Sequence, residues 1–105
     1  MNAMSEHFHE LARRIVEAVH PLRIILFGSA ARGEAGRDSD VDVLVVMPEG
    51  THRRQTAQHL HRQLFGVPLA VDILVATPDD LERHRDNVGL IYRTILREGI
   101  ELYAA

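Results

Sequence analysis

Three short apolar runs constrain the fold of this chain most strongly. They are LRIILF at 22–27, VDVLVV at 41–46 and PLAVDILVA at 68–76, and all three are rich in branched apolar residues. Runs of this length and composition, bounded by turn signals, predict buried strands. Segments with helical periodicity lie before, between and after them. The pattern therefore predicts an α+β fold in which helices pack on a small mixed β-sheet.

The helical segments are identified by their end signals. Pro21 ends the first, Gly66 follows the second and Gly99 ends the last. Thr77 is the expected N-cap of another helix, because Pro78 follows it and an aspartate lies three residues after the cap. The predicted helices cover 5–20, 51–65, a segment opening with TPDDLE at 77–82, and 86–98, where Val88, Ile91 and Ile95 are expected to be buried. IELY at 100–103 predicts a short edge strand.

The length and the apolar content limit the size of the protein. With 105 residues and 46% hydrophobic residues, we expect one domain spanning 1–105. The sequence contains no apolar run of about twenty residues and no leader-like segment, so we expect a cytoplasmic protein without a membrane partner.

The charged residues and the absence of cysteine limit the reactions and partners that we expect for this chain. The net charge is −3 and the pI is about 6.1, which makes nucleic acid unlikely as the main partner. All 12 basic residues are arginine and there is no cysteine. This excludes lysine-based phosphate loops, lysyl intermediates, thiolate nucleophiles and cysteine-ligated zinc.

Two aspartates interrupt the apolar runs, and a third directly precedes one of them. Asp40 and Asp42 are two residues apart, so they share one face of the second strand. Asp72 lies between apolar residues of the third strand, and it completes a cluster if the two strands are neighbours. Grouped carboxylates are costly without a positive partner, and three oxygen ligands suit Mg²⁺ far better than zinc. The sequence thus predicts a magnesium site.

The loop before the second strand suits phosphate binding. Gly28 allows a close approach of the backbone, and the N–H groups of 29–31 are expected to open a short helix that faces a phosphate, with the Ser29 hydroxyl as a further donor. The role of Arg32 stays open. One turn further on, it is within reach of an anion, but a surface arginine or an ion pair with Glu34 or Asp38 is an equal alternative.

The loop and the second strand together carry a family resemblance. The stretch FGSAARGEAGRDSDVDVLVV, residues 27–46, resembles the signature of the minimal nucleotidyltransferases of the polymerase-β-like superfamily: Gly-Ser, then Arg-Gly, then Ser-Asp-x-Asp on the next strand. The matching residues are Gly28, Ser29, Arg32, Gly33, Ser39, Asp40 and Asp42. The family also expects an aspartate on a later strand, a position that Asp72 fills. The resemblance covers nearly the whole chain and implies the fold of that superfamily.

The resemblance implies a protein adenylyltransferase-like enzyme that moves a nucleoside monophosphate, AMP from ATP, to a hydroxyl group with two Mg²⁺ ions, or Mn²⁺ in their place. Asp40 and Asp42 would bridge both ions, and Asp72 would complete the site of the ion that activates the acceptor. Gly28 and Ser29 would hold the β- and γ-phosphates. The implied nucleotide-binding set is completed by Arg32, Gly33 and Ser39.

The resemblance also implies a partner. Similar minimal nucleotidyltransferases commonly pair with a helical HEPN-domain toxin, which some of them neutralise by transferring AMP to a tyrosine. This antitoxin activity is the leading hypothesis. One alternative is a non-catalytic interaction module that masks the toxin stoichiometrically and whose transfer site is vestigial. Another is transfer to a small molecule, with an acceptor pocket supplied by a homo-oligomer. The sequence leaves the base of the nucleotide open, together with the role of the basic helix at 51–65.

Overall fold

The computed structural model describes residues 3–33, 40–84 and 91–105, which form four helices and four strands in the predicted order. The helices are α1 (Ala3–Val19), α2 (Arg53–Gln63), α3 (Pro78–His84) and α4 (Ile91–Glu98), and the strands are β1 (Arg23–Phe27), β2 (Val41–Val46), β3 (Val71–Ala76) and β4 (Ile100–Ala104). Within these residues no helix combines the length and apolarity that crossing a membrane requires.

The four strands form one mixed sheet with the order β3-β2-β1-β4. Strand β1 is antiparallel to both β2 and β4, whereas β2 and β3 are parallel. The starts of β2 and β3 and the end of β1 therefore meet at one end of the sheet. The mixed sheet confirms the predicted α+β class, and IELY lies on an edge strand as predicted.

Helices cover both faces of the sheet. Val43 and Val45 pack on one face with residues of α1 and α2, whereas Leu44 and Val46 pack on the other with residues of α3 and α4. All four valine and leucine side chains are at most 1% exposed, and burial of each stabilises the fold by roughly 1.5–3 kcal/mol. Because side chains alternate along a strand, Asp42 lies on the face covered by α3 and α4.

The second helix is shorter than the predicted range 51–65. Thr51 belongs to the preceding turn, where its hydroxyl donates to the carbonyl oxygen of Pro48 at 2.8 Å. His52 is the N-cap, and its Nδ1 accepts a hydrogen bond from the backbone N–H of Gln55 at 3.2 Å. A histidine cap has no distinctive sequence signal, so the predicted start was two residues early.

The third strand and the last helix also differ from their predicted ranges. Strand β3 begins at Val71 and not at Pro68, because the backbone N–H of Leu69 is held by the carbonyl of Val67 in a local turn. Of the helix predicted over 86–98, helix α4 from Ile91 onward is confirmed. Ile95 is buried as predicted, but the predicted burial of Ile91 was wrong, because Ile91 is the first residue of α4 and is 49% exposed. The earlier part, including Val88, lies outside the described residues.

The predicted cap of α3 is confirmed. The backbone N–H of Thr77 donates to Oδ2 of Asp80 at 2.9 Å, and the N–H of Asp80 donates to the Thr77 hydroxyl at 3.4 Å. Both carboxylate oxygens of Asp80 also accept from the Arg53 guanidinium, at 2.6 and 2.8 Å. The start of α3 is thereby joined to the start of α2.

Candidate active site

The pairing of the strands brings the predicted carboxylates to one end of the sheet. Asp42 on β2 is the register partner of Asp72 on the parallel strand β3, and Phe27 at the end of β1 is its partner on the other side. Asp40 directly precedes β2, two residues before Asp42. The strand pairing on which the role of Asp72 depended is therefore present.

The surroundings of Asp42 disfavour its ionised form. It is partly buried, whereas Asp40 and Asp72 are exposed. Burial raises the pKa of the Asp42 carboxyl, and the negative charges of Asp72 and Asp40 raise it further. This end of the sheet thus carries an excess of negative charge that a cation would compensate.

The three carboxylates do not form a ready-made metal site. Across the described segments, no three histidine, aspartate or glutamate side chains are placed so that they could hold a metal ion together. The donor set nevertheless fits Mg²⁺, because all three ligands are carboxylate oxygens and because their mutual repulsion favours a shared cation. The types of the ligand atoms therefore suit Mg²⁺. To bind the ion together, the three carboxylates must move closer to one another.

Gly28 lies directly against Asp42. Its φ is +75°, and a Cβ atom at this position would overlap Oδ2 of Asp42 and lie 3.3 Å from its Cγ. A side chain here would therefore be strained and would displace the carboxylate. The start of the glycine-rich loop and the strand aspartate form one packed unit.

The loop after Gly28 is a turn and not the short helix that we predicted. The N–H of Arg32 donates to the carbonyl of Gly28 at 3.3 Å, and the N–H of Gly33 donates to the carbonyl of Ala30 at 3.2 Å. Gly33 has a φ of +73°, which is incompatible with a continuing helix. These two hydrogen bonds close overlapping turns over residues 28–33, where the described segment ends.

The remaining loop residues are only partly placed. Ser29 is half-buried beside Gly28, and Arg32 is exposed. Ser39 lies outside the described residues, as do Glu34 and Asp38, the alternative partners of Arg32. Their predicted roles stay predictions.

Sequence reasoning missed Phe27 as part of this site. Its side chain packs with the core under α3 and α4, on the same face as Asp42, its register partner. The signal was its position directly before Gly28, but its pairing with Asp42 depends on the turn that joins β1 to β2. Phe27 supplies an apolar neighbour on the face where the carboxylates lie.

Residues 9–102 match the family model of the nucleotidyltransferase domain. The chain therefore belongs to the nucleotidyltransferase domain family, and the family resemblance predicted from the sequence is confirmed. None of the curated proteins compared with the chain is significantly similar to it in sequence.

Solved structures show the same fold at low sequence identity. A candidate nucleotidyltransferase from Sulfolobus solfataricus matches with a TM-score of 0.63 and 19% identity, over 94% of this chain and 78% of that one. The toxin-antitoxin MntA-HpeT, in a mutant form, matches with a TM-score of 0.66 and 15% identity, over 93% and 73%. A toxin-antitoxin with AMP-PNP matches with a TM-score of 0.59 and 22% identity, over 92% and 73%.

Proposed function

We propose that this chain transfers AMP from ATP to a hydroxyl group, and that the acceptor is a tyrosine of a helical HEPN-domain toxin which the transfer inactivates. Family membership supports nucleotidyl transfer. Two structures with this fold are toxin-antitoxin proteins, and one of them holds an ATP analogue, which supports the nucleotide and the kind of partner. We expect this activity in the cytoplasm.

The observation that carries the proposal is the register of two aspartates on neighbouring parallel strands. Asp42 and Asp72 face the same side of the sheet, and Gly28 packs against Asp42. A purely structural origin would have to explain separately why the fold tolerates a partly buried carboxylate beside two others, and why a glycine fits against it. A site for a nucleoside triphosphate and its cations explains both.

The transfer joins the α-phosphorus of ATP to the acceptor oxygen, breaks the bond from that phosphorus to the oxygen bridging to the β-phosphate, and releases pyrophosphate, while the hydroxyl proton passes to water. Two Mg²⁺ ions, when bound, stabilise the charge that develops on the attacking and leaving oxygens. In our proposal Asp40 and Asp42 hold both ions and Asp72 holds one of them. Gly28 lets the loop backbone approach the β- and γ-phosphates, and the Ser29 hydroxyl donates to them.

Arg32, Gly33 and Ser39 complete the proposed nucleotide site. Arg32 supplies positive charge and Gly33 supplies the backbone turn that ends the loop. Ser39 precedes the first of the two aspartates at the start of β2 and is a further hydroxyl donor in this proposal.

A second candidate function is stoichiometric masking of the toxin without chemistry. The carboxylates, which do not form a ready-made set of three in the described part of the chain, favour this candidate. The two functions differ in turnover, because an enzyme inactivates an excess of its partner whereas a mask must match the number of toxin sites.

Incubation with labelled ATP tests the proposal. The purified chain would be mixed with an excess of a helical HEPN-domain protein, Mg²⁺, and ATP labelled at either the α- or the γ-phosphate. We expect the α-label, but not the γ-label, to appear on a tyrosine of the excess partner, with the mass of one AMP per modified site. Asp79→Asn, which makes the same change of charge far from the site, should transfer normally, whereas Asp42→Asn should not.

Tight binding of the partner in a fixed ratio, with no label from either form of ATP, would favour masking and contradict transfer.

A further inference from the structure

An open groove of about 750 Å³ lies at the other end of the sheet from the carboxylates. Leu22 and Val46 line it from the sheet, and Leu81 and Leu96 line it from α3 and α4. Leu22 and Leu96 are 36% and 38% exposed. The groove therefore offers an apolar surface that the described residues leave uncovered.

Arginines surround this apolar surface. Arg23, Arg93 and Arg97 line the groove, and Glu82 is the acidic residue among the lining residues. Arg23 uses its Nε to bind Glu101 of β4 at 2.7 Å. Neither Arg93 nor Arg97 has a carboxylate within ion-pair distance in the segments 3–33, 40–84 and 91–105. The groove is thus basic on a chain whose net charge is −3.

Two features of the groove define the chemistry of its occupant. Arg93 and Arg97 lie one turn apart on α4 with Leu96 between them, so they present two guanidinium groups beside an apolar side chain. Guanidinium groups bind carboxylates through paired hydrogen bonds. Among the lining residues that belong to the described part of the chain, none has an aromatic side chain on which a nucleobase would stack. Carboxylates next to apolar side chains are typical of an acidic amphipathic segment of a protein.

We propose that this groove docks an acidic, amphipathic segment of a partner protein, with its carboxylates on Arg93 and Arg97 and its apolar side chains on Leu22 and Leu96. The groove opens on the face of the sheet that also carries Asp42. A protein anchored here has its reactive group at a raised local concentration near the carboxylates. The identification of this partner with the acceptor rests on the function proposed above, whereas the docking itself does not.

Fluorescence anisotropy with synthetic peptides and no nucleotide tests the docking. Three labelled amphipathic helical peptides would be compared. The first has glutamate on its polar face and leucine on its apolar face, the second has lysine and leucine, and the third has glutamate and alanine. The parent chain should bind the glutamate-leucine peptide most tightly. Arg93→Glu combined with Arg97→Glu should weaken that binding by at least about tenfold and should favour the lysine-leucine peptide.

The matched control is Arg54→Glu combined with Arg62→Glu on α2, which makes the same change of net charge on the opposite helical layer. It should leave peptide binding within about twofold of the parent. If the double reversal on α4 fails to fold, the single variant Arg97→Glu, at an exposed position, takes its place.

Equal loss of binding in both double variants would overturn the proposal, since general charge would then explain it. Displacement of the acidic peptide by a single-stranded RNA oligonucleotide bound at the groove, or a dimer that the α4 variant dissolves, would also overturn it by assigning the groove to another occupant. Because no nucleotide is present, a negative transfer assay leaves this result unaffected.

Discussion

Gly28 and Asp42 show how single residues shape the proposed site. The glycine has a positive φ and leaves just enough room for the carboxylate of Asp42. Its substitution therefore combines a backbone penalty with a direct collision. These two effects are separable, because the chain contains other glycines with a positive φ that have free space around them.

Gly28→Ala should weaken binding of Mg²⁺-ATP by about tenfold or more, because the new Cβ displaces the carboxylate at the site. Gly50→Ala is the matched control, since Gly50 has a φ of +89° and no atom within 4 Å of the added Cβ. Both variants should lose roughly 1–2 kcal/mol of stability from the left-handed backbone. Calorimetric titration with Mg²⁺-ATP measures the difference. Equal affinities of the two variants would contradict the role of Gly28.

Asp42→Asn should leave the metal-free protein at least as stable as the parent at neutral pH. Burial and two neighbouring carboxylates raise the pKa of Asp42 in the folded state. The protonated carboxyl therefore stabilises the fold relative to the ionised one, and this contribution to stability is present at low pH and is lost as the pH rises through the raised pKa. The advantage of the variant should therefore disappear in acid, where the parent is protonated. Thermal unfolding between acid and neutral pH measures this.

The same variant should also lose the response to metal. Mg²⁺ should raise the Tm of the parent in a concentration-dependent way and leave the Tm of Asp42→Asn unchanged. A variant that unfolds more easily than the parent at neutral pH would show that Asp42 is a structural residue.

At the scale of elements, the start of α3 lies at the end of the sheet opposite the proposed site and is bonded to α2. Asp80 accepts hydrogen bonds from the Thr77 backbone and from Arg53 of α2. The Arg53 guanidinium, above all, lowers the pKa of Asp80, although burial opposes this. The helix cap is therefore also the connection between two layers of the fold.

Asp80→Ala should destabilise the protein by about 1–2 kcal/mol, because it removes both the cap and the connection to Arg53. Asp79→Ala is the adjacent control: it loses one exposed ion pair with Arg83, which is worth roughly 0–1 kcal/mol. The pKa of Asp80 is lowered in the folded state. The contribution of Asp80 to the free energy of unfolding is therefore present above the usual pKa range of a carboxyl and is lost as the pH falls through the lowered pKa. Urea unfolding at neutral and acid pH measures both effects. If the two variants were equally destabilised, the helix cap and its bond to Arg53 would not be the source of the stability that Asp80 contributes.

The sequence predicted these elements where the signal was local. Thr77 and Asp80 form a cap three residues apart, and the strands follow from runs of branched apolar residues. The short helix after Gly28 was a wrong prediction, because the positive φ of Gly33 ends the turn, and a glycine permits this conformation without revealing it.

Contacts between distant residues were predicted only conditionally or not at all. The role of Asp72 depended on β2 and β3 being neighbours, which a single sequence does not determine. The contact of Gly28 with Asp42 depends on how the chain turns between β1 and β2, and the pairing of Phe27 with Asp42 depends on the same turn. Each of these contacts depends on how the strands pair, and the local sequence pattern of a strand does not determine its pairing.

At the scale of the whole molecule, the proposed site and the basic groove lie at opposite ends of one sheet face. Asp42 and Val46 mark the two ends on β2, and the four-residue step from one to the other corresponds to about 13 Å. Leu44 between them is fully buried under the helices, so the two sites are separate surfaces. Chemistry and docking can therefore be removed independently.

Cells that express the toxin test whether neutralisation requires chemistry. Asp40→Asn combined with Asp42→Asn removes the charges that the transfer needs and leaves the groove intact, so it should fail to protect cells at normal expression if AMP transfer is the mechanism. Arg93→Glu combined with Arg97→Glu keeps the carboxylates but should lose docking, so it should protect poorly at normal expression and regain protection when overproduced. Mass spectrometry of the toxin completes the measurement, because AMP should be absent with the first variant and restored on overproduction with the second. Full protection by the aspartate variant, with an unmodified toxin, would instead show that the chain neutralises its partner by binding alone.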